Sequence, residues 1–137
     1  MSVVPFNQKD EPALEPSVLV ADDDPVQVAE ISEYLERRGL RVITATDGEQ
    51  AISAIVNYHP RVALVDVNMP GWDGLKVAKV AGNLDYKLTI LLMSGDEEAL
   101  IRANQGHEGA FGVLEKPLAM RHVGHFIDAA LLRSPAQ

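Results

Sequence analysis

Five short apolar runs alternate along most of the chain with segments that have a helical spacing of apolar residues. The runs cover residues 18–21, 41–45, 62–65, 88–93 and 110–114. Strands that are apolar on both faces are typical of parallel sheets covered by helices on both sides. Right-handed crossovers restrict such sheets to a few doubly wound orders. We therefore predict an α/β protein with a flavodoxin-like (βα)5 fold, whose five-stranded parallel sheet has the order 2-1-3-4-5.

The helical segments begin with recognisable capping residues. Asp24 followed by Pro25 is typical of a helix cap and a first-turn proline, and Asp47 with Gln50 resembles a capping box. The first predicted helix ends at Gly39, the second follows Asp47, and the others cover about residues 74–81, 97–104 and 120–132. The predicted buried side chains of these helices are Val28, Ile31 and Leu35; Ala51, Ile52, Ile55 and Val56; Leu75, Ala78 and Ala81; and Val123, Phe126, Ile127, Ala130 and Leu131.

The length and composition fit one folded domain. The chain has 137 residues, and 47% of them are hydrophobic, which is enough to build a core. Residues 1–16 contain three prolines and mixed charge without periodicity. We therefore expect an extended, flexible N-terminal extension at 1–16, a domain at 17–133, a short tail at 134–137 and no output domain.

Charge and cysteine content exclude several classes of protein. A formal net charge of −8 makes non-specific binding to nucleic-acid phosphates unfavourable. The chain has no cysteine, so it has neither disulfides nor thiolate metal sites. The first residues do not have the pattern of a secretory signal, so we expect none, and no apolar run approaches the ~18–20 residues of a membrane span. We expect a cytoplasmic protein with no nucleic-acid or membrane partner.

Polar residues follow four of the predicted strands, at the ends where ligand sites form in doubly wound sheets. They are Asp22, Asp23 and Asp24 after the first strand, Asp66 after the third, Ser94 after the fourth, and Lys116 with Pro117 after the fifth. Acidic groups, a hydroxyl and a lysine are therefore expected to converge on one edge of the sheet.

The acidic residues have both a simple and a functional interpretation. Asp24 before a proline is explained as a helix cap. Asp22 and Asp23 alone fit a turn as well as a metal site. Asp66 adds a third acid at the same edge. A metal site is then favoured over a simple turn, because a hard cation such as Mg²⁺ neutralises clustered carboxylates.

Lys116 and Ser94 complete the predicted site. An ammonium near three carboxylates fits a plain ion pair, and it also fits a clamp on a phosphoryl oxygen, since phosphoryl transfer depends on positioning and charge neutralisation. Ser94 alone is weak evidence for a functional site, because serine is common in turns. The combination of these groups, rather than any one of them, indicates phosphoryl chemistry.

Four fragments, in this order and spacing, resemble the chemotaxis-type receiver domain of bacterial two-component response regulators. The resemblance covers about residues 17–132. The fragments are Val-Leu-Val-Ala-Asp22-Asp23-Asp24-Pro, Leu-Val-Asp66-Val-Asn68-Met-Pro70-Gly71-Trp-Asp-Gly74, Leu-Met-Ser94-Gly95 and Glu-Lys116-Pro117.

The resemblance implies a phosphoacceptor and a magnesium site. Asp66 would take the phosphoryl group from a histidine kinase or a histidine phosphotransfer protein. Asp23 and Asp66 would hold Mg²⁺ directly, together with the backbone carbonyl of Asn68, while Asp22 would act through water.

The resemblance also implies which residues bind the transferred phosphoryl group. Ser94 and Lys116 would each bond one of its oxygens, and a cis Lys116–Pro117 peptide would aim the lysine into the site. The chain would be a stand-alone switch rather than an enzyme, losing its phosphate slowly by itself. It would act on a downstream protein through the face formed by the helix at 97–104, the fifth strand and the last helix.

Val113 departs from the family pattern. In the family, the residue three positions before the lysine is commonly Tyr or Phe, whose ring swings inward on activation. The small side chain of valine cannot signal activation by such a movement. Phe111 points to the same side of the strand but is displaced along it, and we interpret it as core. The Ser94 part of the switch is retained, whereas the aromatic part lacks its usual residue. The output is therefore expected to be unusual, constitutive or partner-driven.

Two alternatives stay open. The start of the chain also resembles haloacid-dehalogenase-type phosphatases, in which Asp22 would be the nucleophile and Asp24 the acid. In such an enzyme the loop at 66–74 would have no role, and nothing after Lys116 supplies the final acidic metal pair. The other alternative is an interaction module on a receiver scaffold that is no longer phosphorylated.

Overall fold

The structure is a computed structural model that describes residues 17–84, 87–96 and 110–133. The strands in these ranges are β1 (Ser17–Ala21), β2 (Arg41–Ala45), β3 (Val62–Asp66), β4 (Thr89–Ser94) and β5 (Ala110–Glu115). They form one parallel sheet in the order β2-β1-β3-β4-β5. The predicted α/β class and flavodoxin-like strand order are confirmed.

Helices in the described ranges cover both faces of the sheet. They are α1 (Pro25–Arg37), α2 (Gly48–Tyr58), α3 (Gly74–Ala81) and α4 (Met120–Arg133). The helix predicted at 97–104 lies outside the described residues, as do the predicted extension at 1–16 and the tail at 134–137. In the part of the chain that the structure describes, no helix is long and apolar enough to cross a membrane.

The two faces of the sheet carry separate apolar cores. Leu19 of β1 joins the core under α2 and α3, whereas Val18 and Val20 join the core under α1 and α4. This alternation follows from the period of two along a strand. Since both faces are covered, every residue of β3 is buried, including the acid at its end.

The strand register sets where polar residues emerge from the sheet. Ala21 of β1 pairs with Val65 of β3, so the next residue on each strand, Asp22 and Asp66, lies at the same level. Asp66 also pairs with Met93 of β4. Parallel pairing therefore collects these acids at one edge.

The predicted helix caps are present, with one change of partner. The Asp24 carboxylate accepts the Val26 N–H at 3.0 Å, and the Asp47 carboxylate accepts the Gln50 N–H at 2.8 Å. In a standard capping box the Gln50 side chain would bond the N–H of the capping residue itself. Here its Oε1 accepts the N–H of Thr46 at 2.9 Å, one residue earlier.

The predicted inward face of α2 is partly wrong. Val56 was expected in the core but is 49% exposed, whereas Ala51, Ala54 and Ile55 are buried. Val56 lies about 140° from Ala51 around the helix, and α2 packs on the sheet at a rotation that buries the side of Ala51, Ala54 and Ile55.

The inward face of α3 also differs from the prediction. Val77 is fully buried, and Leu75, which was predicted to be buried, packs at the edge of the core and is only partly covered. Ala78 and Ala81 are buried as predicted.

Alanine substitutions at Ile55 and Val56 test the orientation of α2. Ile55→Ala is expected to lower the free energy of unfolding by about 2–5 kcal/mol, because the side chain is fully buried. Val56→Ala is expected to change it by less than about 0.5 kcal/mol. Urea denaturation of both variants provides the measurement, and equal losses at the two positions would contradict the observed orientation.

Candidate functional site

Asp22 is held at the carboxyl end of β1 by backbone contacts on both sides. Its side chain is completely buried. The backbone N–H of Asp22 donates to the carbonyl of Ala45 at 3.1 Å, and its Oδ1 accepts the N–H of Asp24 at 3.0 Å. Asp23, the next residue, is exposed. The first strand thus presents one fixed, buried acid and one acid open to solvent.

Asp66 ends β3 and is only 4% exposed. Its Oδ1 accepts the N–H of Asn68 at 3.1 Å. The loop that follows folds back tightly, since Gly74 donates its N–H to the carbonyl of Val67 at 2.9 Å. A Cβ at position 74 would overlap the backbone carbonyl of Asp66, so glycine is needed for this close approach.

Lys116 joins the two buried acids. Ser94 of β4 pairs with Glu115 of β5, so the lysine emerges at the same edge, and its N–H donates to the carbonyl of Ser94 at 2.9 Å. The Lys116–Pro117 peptide is cis. The ammonium Nζ lies 2.8 Å from Oδ2 of Asp22 and 3.2 Å from Oδ2 of Asp66. One cation therefore bridges carboxylates from two strands.

Three acids are close enough to share a metal ion. One carboxylate oxygen each of Asp22, Asp23 and Asp66 lies within 4.8 Å of the others. Among the described residues, these three carboxylates face the ammonium of Lys116, which leaves negative charge in excess at this edge. Oxygen ligands, surplus negative charge and an exposed acid on the solvent side fit a hard divalent cation that keeps part of its water shell.

Burial makes Asp66 a weaker acid than usual. Loss of solvation, followed by the charge of Asp22, raises the pKa of Asp66 from 3.8 to about 6, although the Asn68 N–H and Lys116 oppose the shift. Burial by itself lowers the pKa of Lys116, but its hydrogen bond to Asp22 and the two nearby carboxylates outweigh that effect and raise it. The lysine therefore stays charged.

Ser94 is completely buried at the end of β4. Its Oγ accepts the N–H of Asp96 at 3.0 Å, and within the described residues the hydroxyl donates over a longer distance of 3.4 Å to the Asp96 carbonyl. Since Met93 pairs with Asp66, Ser94 lies one residue beyond the level of the acid. The structure thus brings Ser94 to the same edge as the acids and the lysine.

Val113 lies on β5 and packs, partly buried, against the core under α2 and α3. It also borders a cleft of about 370 Å³ between the end of β5 and the start of α4. The cleft is lined by Val113, Leu114, Glu115, Lys116, Pro117, Leu118, Ala119, His122 and Phe126. The side chain of Phe111 lies outside what the structure describes.

A contact between α2 and the loop after Asp66 was not predicted from the sequence. Gly48, the first residue of α2, faces the backbone of Trp72 so closely that a Cβ would overlap it. Trp72 itself is partly buried, and Lys76 lies over its ring at 4.5 Å. The available signal was a glycine in the first turn of a helix, where better helix formers are usual.

Comparison with known proteins decides the family. Residues 18–128 match the response regulator receiver domain. The chain belongs to this receiver domain family. The receiver is 32% identical over 117 residues to the alkaline phosphatase synthesis transcriptional regulatory protein PhoP of Bacillus subtilis (strain 168). The alignment covers 85% of this chain and 49% of PhoP, so the chain spans about half the length of that relative.

Solved structures agree with the fold of the receiver. A CheY-like response regulator receiver domain protein from Methanospirillum hungatei JF-1 superposes with a TM-score of 0.80 at 22% identity, covering 88% of this chain and 96% of that one. The response regulator TrrA from Thermotoga maritima, solved in complex with Mg(2+)-BeF, gives a TM-score of 0.76 at 23% identity, covering 84% and 98%. The family resemblance drawn from the sequence fragments is confirmed.

Neutralising Asp66 is expected to stabilise the metal-free receiver in a pH-dependent manner. Between pH 3.8 and 6 the folded state binds more protons at this carboxyl than the unfolded state does, so stability falls as pH rises through that window. Asp66→Asn cannot ionise. Its gain in unfolding free energy over wild type should therefore grow between pH 4 and pH 8, by on the order of 1 to 2 kcal/mol.

Denaturation in EDTA at several pH values measures this gain. Glu36→Gln on α1 is the matched control, because Glu36 is exposed and its neutralisation should give no comparable trend. A gain for Asp66→Asn that is constant with pH, or that shrinks as pH rises, would contradict the burial and charge assigned to Asp66.

Proposed function

We propose that this receiver accepts a phosphoryl group on Asp66 from a histidine kinase or a histidine phosphotransfer protein and passes the signal on by protein–protein contact. The observation that carries the proposal is the Lys116 ammonium, which contacts Asp22 and Asp66 at the edge where Asp23 is also within reach. Phosphoryl transfer needs this kind of positioned charge neutralisation more than it needs covalent chemistry from the protein.

The transfer makes one bond and breaks one bond. A carboxylate oxygen of Asp66 bonds to phosphorus as the bond from phosphorus to the donor imidazole nitrogen breaks, and the imidazole keeps the electron pair. Lys116 provides a positive charge 3.2 Å from the Asp66 carboxylate, where the phosphoryl oxygens arrive. Ionised Asp66 is the reactive form, because a protonated carboxyl is a poor nucleophile.

The acidic residues are proposed to hold Mg²⁺. Asp23, Asp66 and the backbone carbonyl of Asn68 would be direct ligands, and Asp22 would act through water. When bound, Mg²⁺ neutralises charge on the carboxylates and on the phosphoryl oxygens. Asp22 also fixes Lys116 at 2.8 Å, so it orients the ammonium.

Ser94 is proposed to read the phosphorylated state. A hydroxyl is both donor and acceptor, and Ser94 already accepts the N–H of Asp96 while, within the described residues, it donates over a longer distance of 3.4 Å. The proton is therefore able to turn toward a phosphoryl oxygen without loss of the Asp96 bond. With Val113 in place of an aromatic residue, the output is proposed to depend on this hydroxyl and on Lys116.

Output is proposed to pass through the face formed by β5, α4 and the helix predicted at 97–104. The cleft beside Val113 is lined by residues of β5, of α4 and of the segment that joins them. The partner is proposed to be a protein rather than nucleic acid, since the chain carries a net charge of −8. Slow loss of the phosphoryl group by hydrolysis would reset the switch.

Phosphorylation by a small donor tests the proposal. With acetyl phosphate or phosphoramidate and Mg²⁺, wild type should gain the mass of one phosphoryl group, and Asp66→Asn should gain none. Asp24→Asn is the matched control, because asparagine caps a helix as well as aspartate does and the residue is proposed to be only a cap. Intact-mass spectrometry gives the readout.

The alternatives give different results in the same experiment. An unchanged mass for the wild type would favour an interaction module that is no longer phosphorylated. A covalent adduct that survives in Asp66→Asn but disappears in Asp22→Asn would favour the phosphatase mechanism.

A further inference from the structure

The turn between β2 and α2 contacts both loops that carry the acids. We call residues 45–50 the bracket turn. At its start, the carbonyl of Ala45 accepts the N–H of Asp22 at 3.1 Å. At its centre, Gly48 lies against the backbone of Trp72, in the loop that joins Asp66 to α3. None of the proposed metal ligands or phosphoryl-binding groups belongs to this turn.

The contact at Gly48 is with the backbone of Trp72 and with its Cβ, which moves only with that backbone. A Cβ at position 48 would come well within 3.0 Å of the Trp72 carbonyl oxygen and Cβ, a separation that real Cβ atoms essentially never show. A backbone cannot rotate away as the end of a long side chain can, so either the helix start or the loop would have to move.

The bracket turn is itself firmly held. Asp47 and Gln50 fix the start of α2 through bonds of 2.8 Å and 2.9 Å, the second of them to Thr46. A displacement caused by a new Cβ is therefore expected to fall on the loop at 67–73 rather than on the helix.

The two ends of that loop are held close together. Gly74 packs against the carbonyl of Asp66, again without room for a Cβ. Trp72 is anchored by the core and by Lys76. A push at Trp72 is therefore transmitted toward Asn68 and Asp66, where the proposed metal ligands lie.

We propose that Gly48 is a positioning residue for the metal and phosphoacceptor site, because its missing side chain sets how closely the loop after Asp66 lies to the acids of β1. This inference rests on the proposed function. If the inference is right, the bracket turn sets the distance between Asp66 at the end of β3 and the acids Asp22 and Asp23 after β1.

Magnesium affinity tests the role of Gly48. Gly48→Ala is expected to weaken Mg²⁺ binding about tenfold or more, the usual range when residues that orient metal ligands are changed. Gly82→Ala is the matched control, because a Cβ there meets only ordinary contacts of 3.4 Å and 3.5 Å. Its affinity should equal that of wild type. Isothermal titration calorimetry with MgCl₂ gives the dissociation constants, and thermal melting in EDTA gives the stability without metal.

The two measurements separate positioning from plain stability. A Gly48→Ala variant that melts earlier in EDTA but binds Mg²⁺ as wild type does would overturn the inference. Failure of the wild type itself to bind Mg²⁺ would overturn the proposed function instead.

A second variant covers the case in which Gly48→Ala does not fold. Gln50→Ala removes the side chain that holds Thr46, on an exposed surface, and so loosens the bracket turn without a clash. Magnesium binding should weaken about threefold, a smaller change than a displaced ligand causes. Gln27→Ala on α1 is its control, and equal affinities for the two variants would overturn the inference.

Discussion

The bridge from Lys116 to Asp22 and Asp66 is the interaction on which the site depends. Two carboxylates that are almost completely buried share one ammonium. A buried charge without a partner is costly, so this arrangement is tolerated only because the lysine stays charged and each acid also accepts a backbone N–H. The carboxylates within reach of one another outnumber the Lys116 ammonium, and this surplus of negative charge supports the proposed Mg²⁺ site.

The parallel register explains why this site was predictable from the sequence. Asp22, Asp66 and Lys116 lie at or just after the carboxyl ends of β1, β3 and β5, and parallel pairing places the carboxyl ends of neighbouring strands at one edge. Asp22, Asp66 and Lys116 were therefore identified from local patterns alone. Five βα units and the handedness of their connections restricted the strand order to a few possibilities, of which the predicted order is the one observed. The sequence left open whether Lys116 forms an ion pair or binds a phosphoryl oxygen. The structure shows the ion pair with Asp22 and Asp66. In the proposed function, the same ammonium would bind a phosphoryl oxygen after transfer.

Features that depend on contacts between distant segments could not be predicted. The side chain of Val56 fits an apolar pattern, yet only the placement of α2 on the sheet decides that Ala54 rather than Val56 is buried. The same holds for Gly48, because a glycine at a helix start gives no indication of the backbone it faces. Local periodicity fixes the type of an element, whereas its rotation and its neighbours come from packing.

Because position 113 is a valine, the proposed output has to leave the site without an aromatic side chain there. If no ring reports the phosphorylated state, the remaining route is through polar contacts at the strand ends. The Lys116 N–H donates to the carbonyl of Ser94 at 2.9 Å, so the two groups proposed to bond the phosphoryl oxygens are already joined through the backbone of β4 and β5. A phosphoryl group that draws Lys116 away from Asp22 and turns the Ser94 hydroxyl would act on both strand ends at once. The cleft at the end of β5 includes Lys116 in its lining, so it would sense that displacement directly.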